Sequence, residues 1–403
     1  MQPIHFQSKE PAPYRDLCTD CGISRSSEPK RCGQACQFIE PKYEHLEIQV
    51  HGRNRQVHES DEIFFGPYQN MYQAAMQKPV AGAQWTGITT SLAKKLLHHQ
   101  LVDGVLTMGQ DANDAWRPVP ILITQEEDIA LARGMKMGYA PLLALLDNAK
   151  ELGLKKLAVI GIPCQIYALR ALEQELGFEK IYVIGTPCSD NTTTENFHEF
   201  LSIIDPEPKS ITYLEFKANY HVELRYQNGK KKEIPFLMLP LSKLRPDFFP
   251  TTCRTCVDYT NSLADITIGY MGGNGEQWVI VRNDRGQELL SLLDGEIKLQ
   301  APIDSGKRMG AVKGFMKNTE LAAGGLPLRQ MPDWLRPIVG WLMPKVGPKG
   351  IEFARARVEM KAIETALILR QQMPKKMKHM VPHHIWLLLE KYGITPNPEE
   401  LPK

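Results

Sequence analysis

Two copies of one short device constrain this chain more than any other feature. The hexapeptide Val159-Ile160-Gly161-Ile162-Pro163-Cys164 returns as Val183-Ile184-Gly185-Thr186-Pro187-Cys188. Each copy reads as a buried strand, a tight Gly/Pro exit and a cysteine. Between them, residues 165–176 set Ile166, Leu169, Leu172 and Leu176 at helical spacing. A strand–helix–strand unit calls for parallel strands. A right-handed crossover then puts both cysteines on one rim of the sheet. Two thiols delivered to one rim by a repeated device are candidate ligands.

The remaining cysteines follow the same logic. Residues 14–36 carry Cys18, Cys21, Cys32 and Cys36 as C-x2-C-x10-C-x3-C, in polar surroundings with Gly22 and Gly33 at turn positions. Such a segment has too little apolar surface to fold around its own core, so four thiolates on a metal would hold it. Zinc favours paired C-x2-C knuckles, whereas iron–sulfur clusters tolerate less regular spacing; the spacing alone leaves both open. Further on comes Cys253-Arg254-Thr255-Cys256. A C-x2-C loop docked on the rim of Cys164 and Cys188 would complete a second set of four. Two full sets of four point to electron transfer through a relay of two clusters.

Composition bounds the rest. A chain of 403 residues with 43% hydrophobic content fits a globular protein of two or three domains. A net charge of +2 gives no basis for nucleic-acid binding. No apolar run has the length of a membrane span. Residues 1–13 include Lys9 and Glu10 and no apolar core of a secretory signal. A cytoplasmic location is therefore expected, where eight cysteines serve as metal ligands or redox thiols rather than disulfides.

The stretch Gln84-Trp85-Thr86-Gly87-Ile88-Thr89-Thr90-Ser91-Leu92 leads into a helix expected over 92–99. Backbone N–H groups and hydroxyls at a helix start suit a phosphate; an ordinary capped helix is the plainer reading. Lys136, in a Gly-flanked loop over 134–139, is placed to meet a phosphate or a flavin carbonyl. Strands are expected over 102–108, 118–124, 263–269 and 278–282, with helices over 126–133, 141–152 and 194–204. Alternation over 211–235 across Asn228-Gly229 marks an antiparallel insert. A hairpin is expected over 44–57, a helix start over 71–76 and a turn over 283–286.

These residues together resemble the beta subunits of deazaflavin-reducing hydrogenases and their relatives, over about residues 18–285. The carriers are Trp85-Thr86-Gly87-Ile88-Thr89, Ile162-Pro163-Cys164-Gln165, Cys188, Cys253-x2-Cys256 and Ala264-Asp265-Ile266 through Gly269. The resemblance implies an FAD enzyme with 4Fe–4S clusters: Cys18, Cys21, Cys32 and Cys36 for one, and Cys164, Cys188, Cys253 and Cys256 for the other. It implies that Trp85, Thr86, Gly87, Thr89 and Ser91 contact FAD, with Lys136 nearby. The N-terminal cysteines and Gly269-Tyr270-Met271-Gly272 are similar to the branch acting on chlorophyll-type tetrapyrroles with electrons from ferredoxin. Gly273 through Trp278 is more similar to members reducing an 8-vinyl group to ethyl; reduction of a 7-hydroxymethyl group is the alternative. Tyr270 is the candidate proton donor, ahead of His198 and His221, with plain packing as its other reading.

Residues 331–403 fall outside that resemblance. Prolines punctuate a Trp-rich stretch over 334–343, and one long helix is expected over 351–373. A basic run at Lys375-Lys376-Met377-Lys378 precedes His384-Ile385-Trp386-Leu387-Leu388-Leu389. These helices either pack on the body or on a second copy of the chain, or lie on an anionic photosynthetic membrane surface. The expected fold is α/β: an N-terminal iron–sulfur segment (1–60), an FAD and iron–sulfur core with a mixed sheet (61–330) and a helical C-terminal portion (331–403). Two other readings remain: a zinc-binding scaffold, and an electron-transfer subunit with no substrate of its own.

Overall fold

The computed structural model describes residues 2–6, 17–217, 219–270 and 276–401. Residues 271–275, and with them most of the glycine-rich motif after Tyr270, lie outside the described residues. The chain forms two compact units. The first comprises Met1–Cys188, Asp258–Gly269 and Glu276–Ala301; the second comprises Ser189–Val257, Tyr270–Gly275 and Pro302–Lys403. These units group residues by contact, whereas the three expected segments follow chain order.

The strands in chain order are β1 (Ile4–His5), β2 (Asn70–Met76), β3 (Gly104–Gln110), β4 (Pro118–Ile123), β5 (Lys156–Gly161), β6 (Lys180–Gly185), β7 (Ile211–Phe216), β8 (His221–Tyr226), β9 (Lys231–Pro235), β10 (Ile266–Gly269), β11 (Gln277–Val281) and β12 (Ile297–Gln300). The first unit is built on a nine-stranded mixed sheet ordered β1-β4-β3-β5-β6-β10-β11-β2-β12. Its centre, β3-β5-β6-β10, is parallel. Val159, Val183 and Ile184 are fully buried there, which is why β5 and β6 read as continuous apolar runs. The helix Pro163–Leu176 joins β5 to β6. It buries Ile166, Leu169, Leu172 and Leu176 as their spacing predicts, and it begins with proline at its first position.

Three local expectations fail, each for a nameable reason. Residues 44–57 do not form a hairpin: Tyr43–His51 is a helix that buries Leu46, Glu47 and Val50 and ends at Gly52 with φ 73°. Buried Glu47 is paired with Arg55, whose Nε lies 2.7 Å from its carboxylate. Residues 71–76 lie in β2, not a helix, because β2 pairs antiparallel with both β11 and β12; long-range pairing overrides local propensity. Asn283 is not in a simple turn but caps the helix Asp284–Ser291, its side chain accepting from Gly286 N at 3.0 Å.

The second unit contains the antiparallel sheet β7-β8-β9, turned at Gly229 with φ 78°, and several helices. Thr194–Ile204 is helical as expected, with Thr193 as its cap. The long helix Ile351–Gln372 buries Ala354, Val358, Ala362, Ile363, Ala366 and Leu369 together with Lys361 and Glu364. Residues 384–389 also turn inward: Ile385, Trp386, Leu388 and Leu389 are all buried. Those four side chains are core, and Leu387 is half-buried. Among the described residues, no helix is long and apolar enough to cross a membrane.

Candidate functional site

The N-terminal cysteines sit on a chain path with little regular structure. Short 3-10 turns at Ile23–Arg25 and Pro29–Arg31 lead to the one-turn helix Cys32–Ala35. Gly22, at φ 112°, lies flat against the 141–144 turn; an added Cβ would fall 2.4 Å from Ala144 N. Leu143 N donates to the Cys21 carbonyl at 2.9 Å. Asp20, itself at φ 47°, accepts a two-pronged bond from Arg25 at 2.7 and 2.8 Å.

Backbone N–H groups point at the sulfurs. Asp20 N lies 3.4 Å from Cys18 Sγ, Ile23 N faces Cys21, and Phe38 N and Ile39 N face Cys36. Burial pushes the Cys21 thiol up to about 12, and Cys32, Cys36 and Cys18 each add to that rise. Burial, with Cys32 and Cys18, raises Cys36 as well. Cys18, Cys32 and Cys36 therefore lie close enough to Cys21 to act on it electrostatically. A metal–sulfide centre reverses the sign of this mutual repulsion and is held by the thiolates. The donor set fits a four-thiolate centre. Among the described residues, no three His, Cys, Asp or Glu side chains stand at the distances of a single metal ion.

On the sheet, Gly161 and Gly185 are direct partners in the parallel β5–β6 ladder, and each precedes its cysteine by three residues. Cys164 enters the first turn of the helix Pro163–Leu176. Thr186 N donates to the Gly161 carbonyl at 3.0 Å. Asn261 Nδ2 donates to both Gly161 O (2.8 Å) and Thr186 O (3.2 Å), tying the two strand exits together. Gly185 must lack a side chain, since a Cβ would fall 2.7 Å from Asn261 and Ala264. Cys188 N donates to Tyr259 O at 2.9 Å. Below this rim, Asp265 joins β6 to β10. It accepts from Val183 N at 2.7 Å, Arg170 at 2.8 Å, Asn283 at 2.9 Å and Arg285 at 3.0 Å. Burial pushes its carboxyl up, but Arg170 and Arg285 more than offset this and hold it below the usual range.

Cys253 and Cys256 belong to the second unit, Cys164 and Cys188 to the first, and each pair is described in its own unit. Cys253 lies in the short helix Thr251–Arg254 and is buried. Asn191 N faces its sulfur at 3.4 Å. Arg254 is clamped by Glu364 at 2.8 Å and by the carbonyls of Gly324 and Gly325, both at 2.7 Å. Lys361 reaches the Cys253 carbonyl at 2.6 Å and Asp190 at 2.8 Å. Burial alone would lower the Lys361 pKa; Asp190 and Glu364, with a contribution from Cys256, outweigh it and keep the ammonium charged. Nothing in the sequence spacing marks Lys361, Asp190 or Asn261. Lys361 and Glu364 are charges in the buried helix Ile351–Gln372, and that pattern is the signal a sequence offers for them.

The residues expected to meet FAD group around the start of the helix Ile88–His98 in the first unit. Gly87 caps it at φ 83°, and a Cβ there would meet Val80 at 2.7 Å. Trp85 has φ 57°. The Thr86 hydroxyl accepts from Met76 N at 3.0 Å and donates to Gln277 Oε1 at 3.4 Å. Gln277, which the sequence reading missed, also accepts from Ile88 N at 3.3 Å. Thr89 and Ser91 are half-buried in the first turns. Lys136 donates to the carbonyls of Ala132 (2.9 Å) and Arg133 (2.5 Å). Burial lowers its pKa to about 8. Arg133 in turn bonds Ala81 O at 3.0 Å, tying the Lys136 loop to the loop before Trp85.

The Tyr270 hydroxyl donates to Lys217 O at 2.7 Å, and its ring packs edge-on against Phe353 at 5.4 Å. His198 is exposed on the helix Thr194–Ile204. His221 Nδ1 lies 2.9 Å from the Asn219 carbonyl. Both sit in ordinary surface or turn positions.

The fold is a mixed α/β architecture carrying cysteine-rich segments. It overlays a chain of the F420-reducing [NiFe] hydrogenase complex from Methanosarcina barkeri with a TM-score of 0.53, at 23% identity, over 59% of this chain and 83% of that one. Residues 71–147 match the N-terminal domain, and residues 154–305 the C-terminal domain, described for coenzyme F420 hydrogenase/dehydrogenase beta subunits. The chain belongs to that family. It is 36% identical to an uncharacterized protein of Nostoc sp., over 95% of each chain. It is 35% identical to the chloroplastic 7-hydroxymethyl chlorophyll a reductase of Oryza sativa subsp. japonica, over 94% of this chain and 83% of the relative.

Proposed function

We propose that this chain is a reductase of a chlorophyll-type tetrapyrrole that takes electrons from reduced ferredoxin. One observation carries the substrate class: the likeness to the rice chlorophyll reductase covers 94% of this chain, so it reaches into residues 331–403 beyond the motifs. Two four-cysteine sets support iron–sulfur electron carriage, and the Trp85–Ser91 region with Lys136 supports FAD. When bound, the clusters carry single electrons, and the flavin converts them to two-electron chemistry.

The chain's own residues then have separable tasks. Cys18, Cys21, Cys32 and Cys36 would hold one 4Fe–4S cluster, and Cys164, Cys188, Cys253 and Cys256 would hold the other. Trp85, Thr86, Gly87, Thr89 and Ser91 would contact FAD, and Lys136 would offer it a positive charge. Tyr270 would supply the proton to the reacting carbon. Converting a 7-hydroxymethyl group to methyl consumes two electrons and two protons and releases water; converting an 8-vinyl group to ethyl consumes two electrons and two protons. The named relative favours the first. The local sequence after Gly273 favours the second.

A paired anaerobic assay tests this reading. Purified protein is first assayed for iron and sulfide, then incubated with reduced ferredoxin and either 7-hydroxymethyl chlorophyll a or divinyl chlorophyllide. A methyl product from the first substrate, or an ethyl product from the second, establishes the substituent. Turnover of neither by brown, flavin-loaded protein assigns an electron-transfer subunit. Colourless protein containing zinc removes the redox reading.

A further inference from the structure

We propose that the outer face of the helix Arg336–Val346 is a docking surface for an anionic lipid bilayer. This surface is independent of the redox reading above and belongs wholly to the second unit.

The helix is built inside out. Its charged Arg336 is buried, with Nη2 bonded to Leu328 O at 2.6 Å and Nε to Asp333 at 3.0 Å. Gly340 also faces inward, where a Cβ would come within 3.1 Å of Met238. Apolar residues face outward instead: on the helix Trp341 is 64% exposed, Ile338 55%, Val346 52% and Leu342 41%, and Trp334, in the turn just before it, is 73% exposed. The spacing of Ile338, Trp341, Leu342 and Val346 puts them on one helical face. Monomeric surfaces scatter such side chains singly; a continuous stripe with two tryptophans marks a contact site.

Charge selects the occupant. The chain as a whole carries +2, yet residues 306–350 hold eight lysines or arginines against two acids, Glu320 and Asp333. Lys307, Lys313, Lys317, Arg329 and Lys345 are exposed, and Lys345 sits 3.4 Å over the Trp341 ring. A two-fold contact between copies of this face would set the cationic segment against itself. An anionic headgroup layer instead accepts the lysines while the indoles enter the interface, which is where tryptophan partitions best. The helix would lie in the plane of the membrane surface rather than cross it.

The test is vesicle co-sedimentation of the full-length, cofactor-loaded protein, with phosphatidylcholine vesicles compared with vesicles containing phosphatidylglycerol. Binding to the anionic vesicles alone, weakened by salt, is expected. A Trp334→Ser/Trp341→Ser double variant should lose that binding, and Lys345→Glu should weaken it. Both tryptophans are exposed, so unchanged circular dichroism checks that the variants fold. Protein that stays in solution with anionic vesicles overturns the proposal. So does equal binding by the double variant. A concentration-dependent oligomer abolished by the double variant, with no vesicle binding, assigns the face to a second copy instead.

Discussion

Lys361 Nζ lies 2.6 Å from the carbonyl oxygen of Cys253, a buried cation bonded to the backbone of a candidate cluster ligand. An electron added to a centre held by Cys253 and Cys256 would be stabilised by that fixed charge. Lys361→Met should therefore move one of two reduction steps to more negative potential while iron content stays at the wild-type level. Lys361→Arg, which keeps the charge, should restore most of the shift. The measurement is a redox titration followed by electron paramagnetic resonance. An unmoved potential in iron-replete Lys361→Met protein would show that the lysine acts on packing alone.

Asp265 is the anion that Arg170 and Arg285 share under the parallel strands. Asp265→Asn leaves Arg170, which is fully buried, with Glu173 as its remaining anionic partner beside the Leu263 carbonyl. Breaking one side of a buried ion pair costs about 3–5 kcal/mol. Guanidinium unfolding should show that loss in the transition of the first unit. A loss below about 1 kcal/mol would mean that Glu173 suffices.

His51 is held neutral. Its Nε2–H donates to Ser262 O at 2.8 Å, Asn283 Nδ2 approaches Nδ1 at 3.4 Å, and burial with nearby Arg282 lowers its pKa to about 3. An unfolded histidine titrates near 6.5, so between about pH 3 and 6.5 the unfolded chain binds the extra proton. Stability from this group is thus intact above about pH 6.5 and declines as the pH falls, by roughly 2 kcal/mol at pH 5. His51→Gln should flatten that part of a stability–pH profile measured by urea unfolding. A profile of unchanged slope in the variant would place the acid sensitivity elsewhere.

Tyr270→Phe removes the hydroxyl and leaves the ring against Phe353. As the proton donor, Tyr270 should contribute roughly a hundredfold or more to single-turnover product formation, and the variant should lose the alkaline limb of the pH–rate profile. Equal single-turnover rates in the two proteins would leave the hydroxyl as a clasp on Lys217 O.

Local pattern carried much of this fold into view. The repeated hexapeptide announced β5, β6 and their joining helix because buried parallel strands and a Pro-initiated helix leave strong local marks. The Asn228-Gly229 hairpin and the helices at 194–204 and 351–373 were equally legible. β2 was not, because its seven residues become a strand only through partners more than two hundred positions away. Gln277, Asn261 and Lys361 were missed for the same reason: a side chain that braces another segment shows no periodicity of its own. The basic and aromatic run at 375–389 illustrates the converse. Its composition suits a surface, but packing took Trp386 and Leu388 inside and left Trp334 and Trp341 outside.

The pairing of Gly161 with Gly185 has a consequence for how this protein can change over time. The separation of the chain exits that carry Cys164 and Cys188 is fixed by two adjacent strands, about 4.8 Å apart, and by main-chain bonds closed with one asparagine. Side-chain substitutions along those strands can refill the core without altering that gauge. Loops elsewhere can lengthen, shorten or turn to another substrate while the spacing of the two thiol-bearing exits is inherited unchanged.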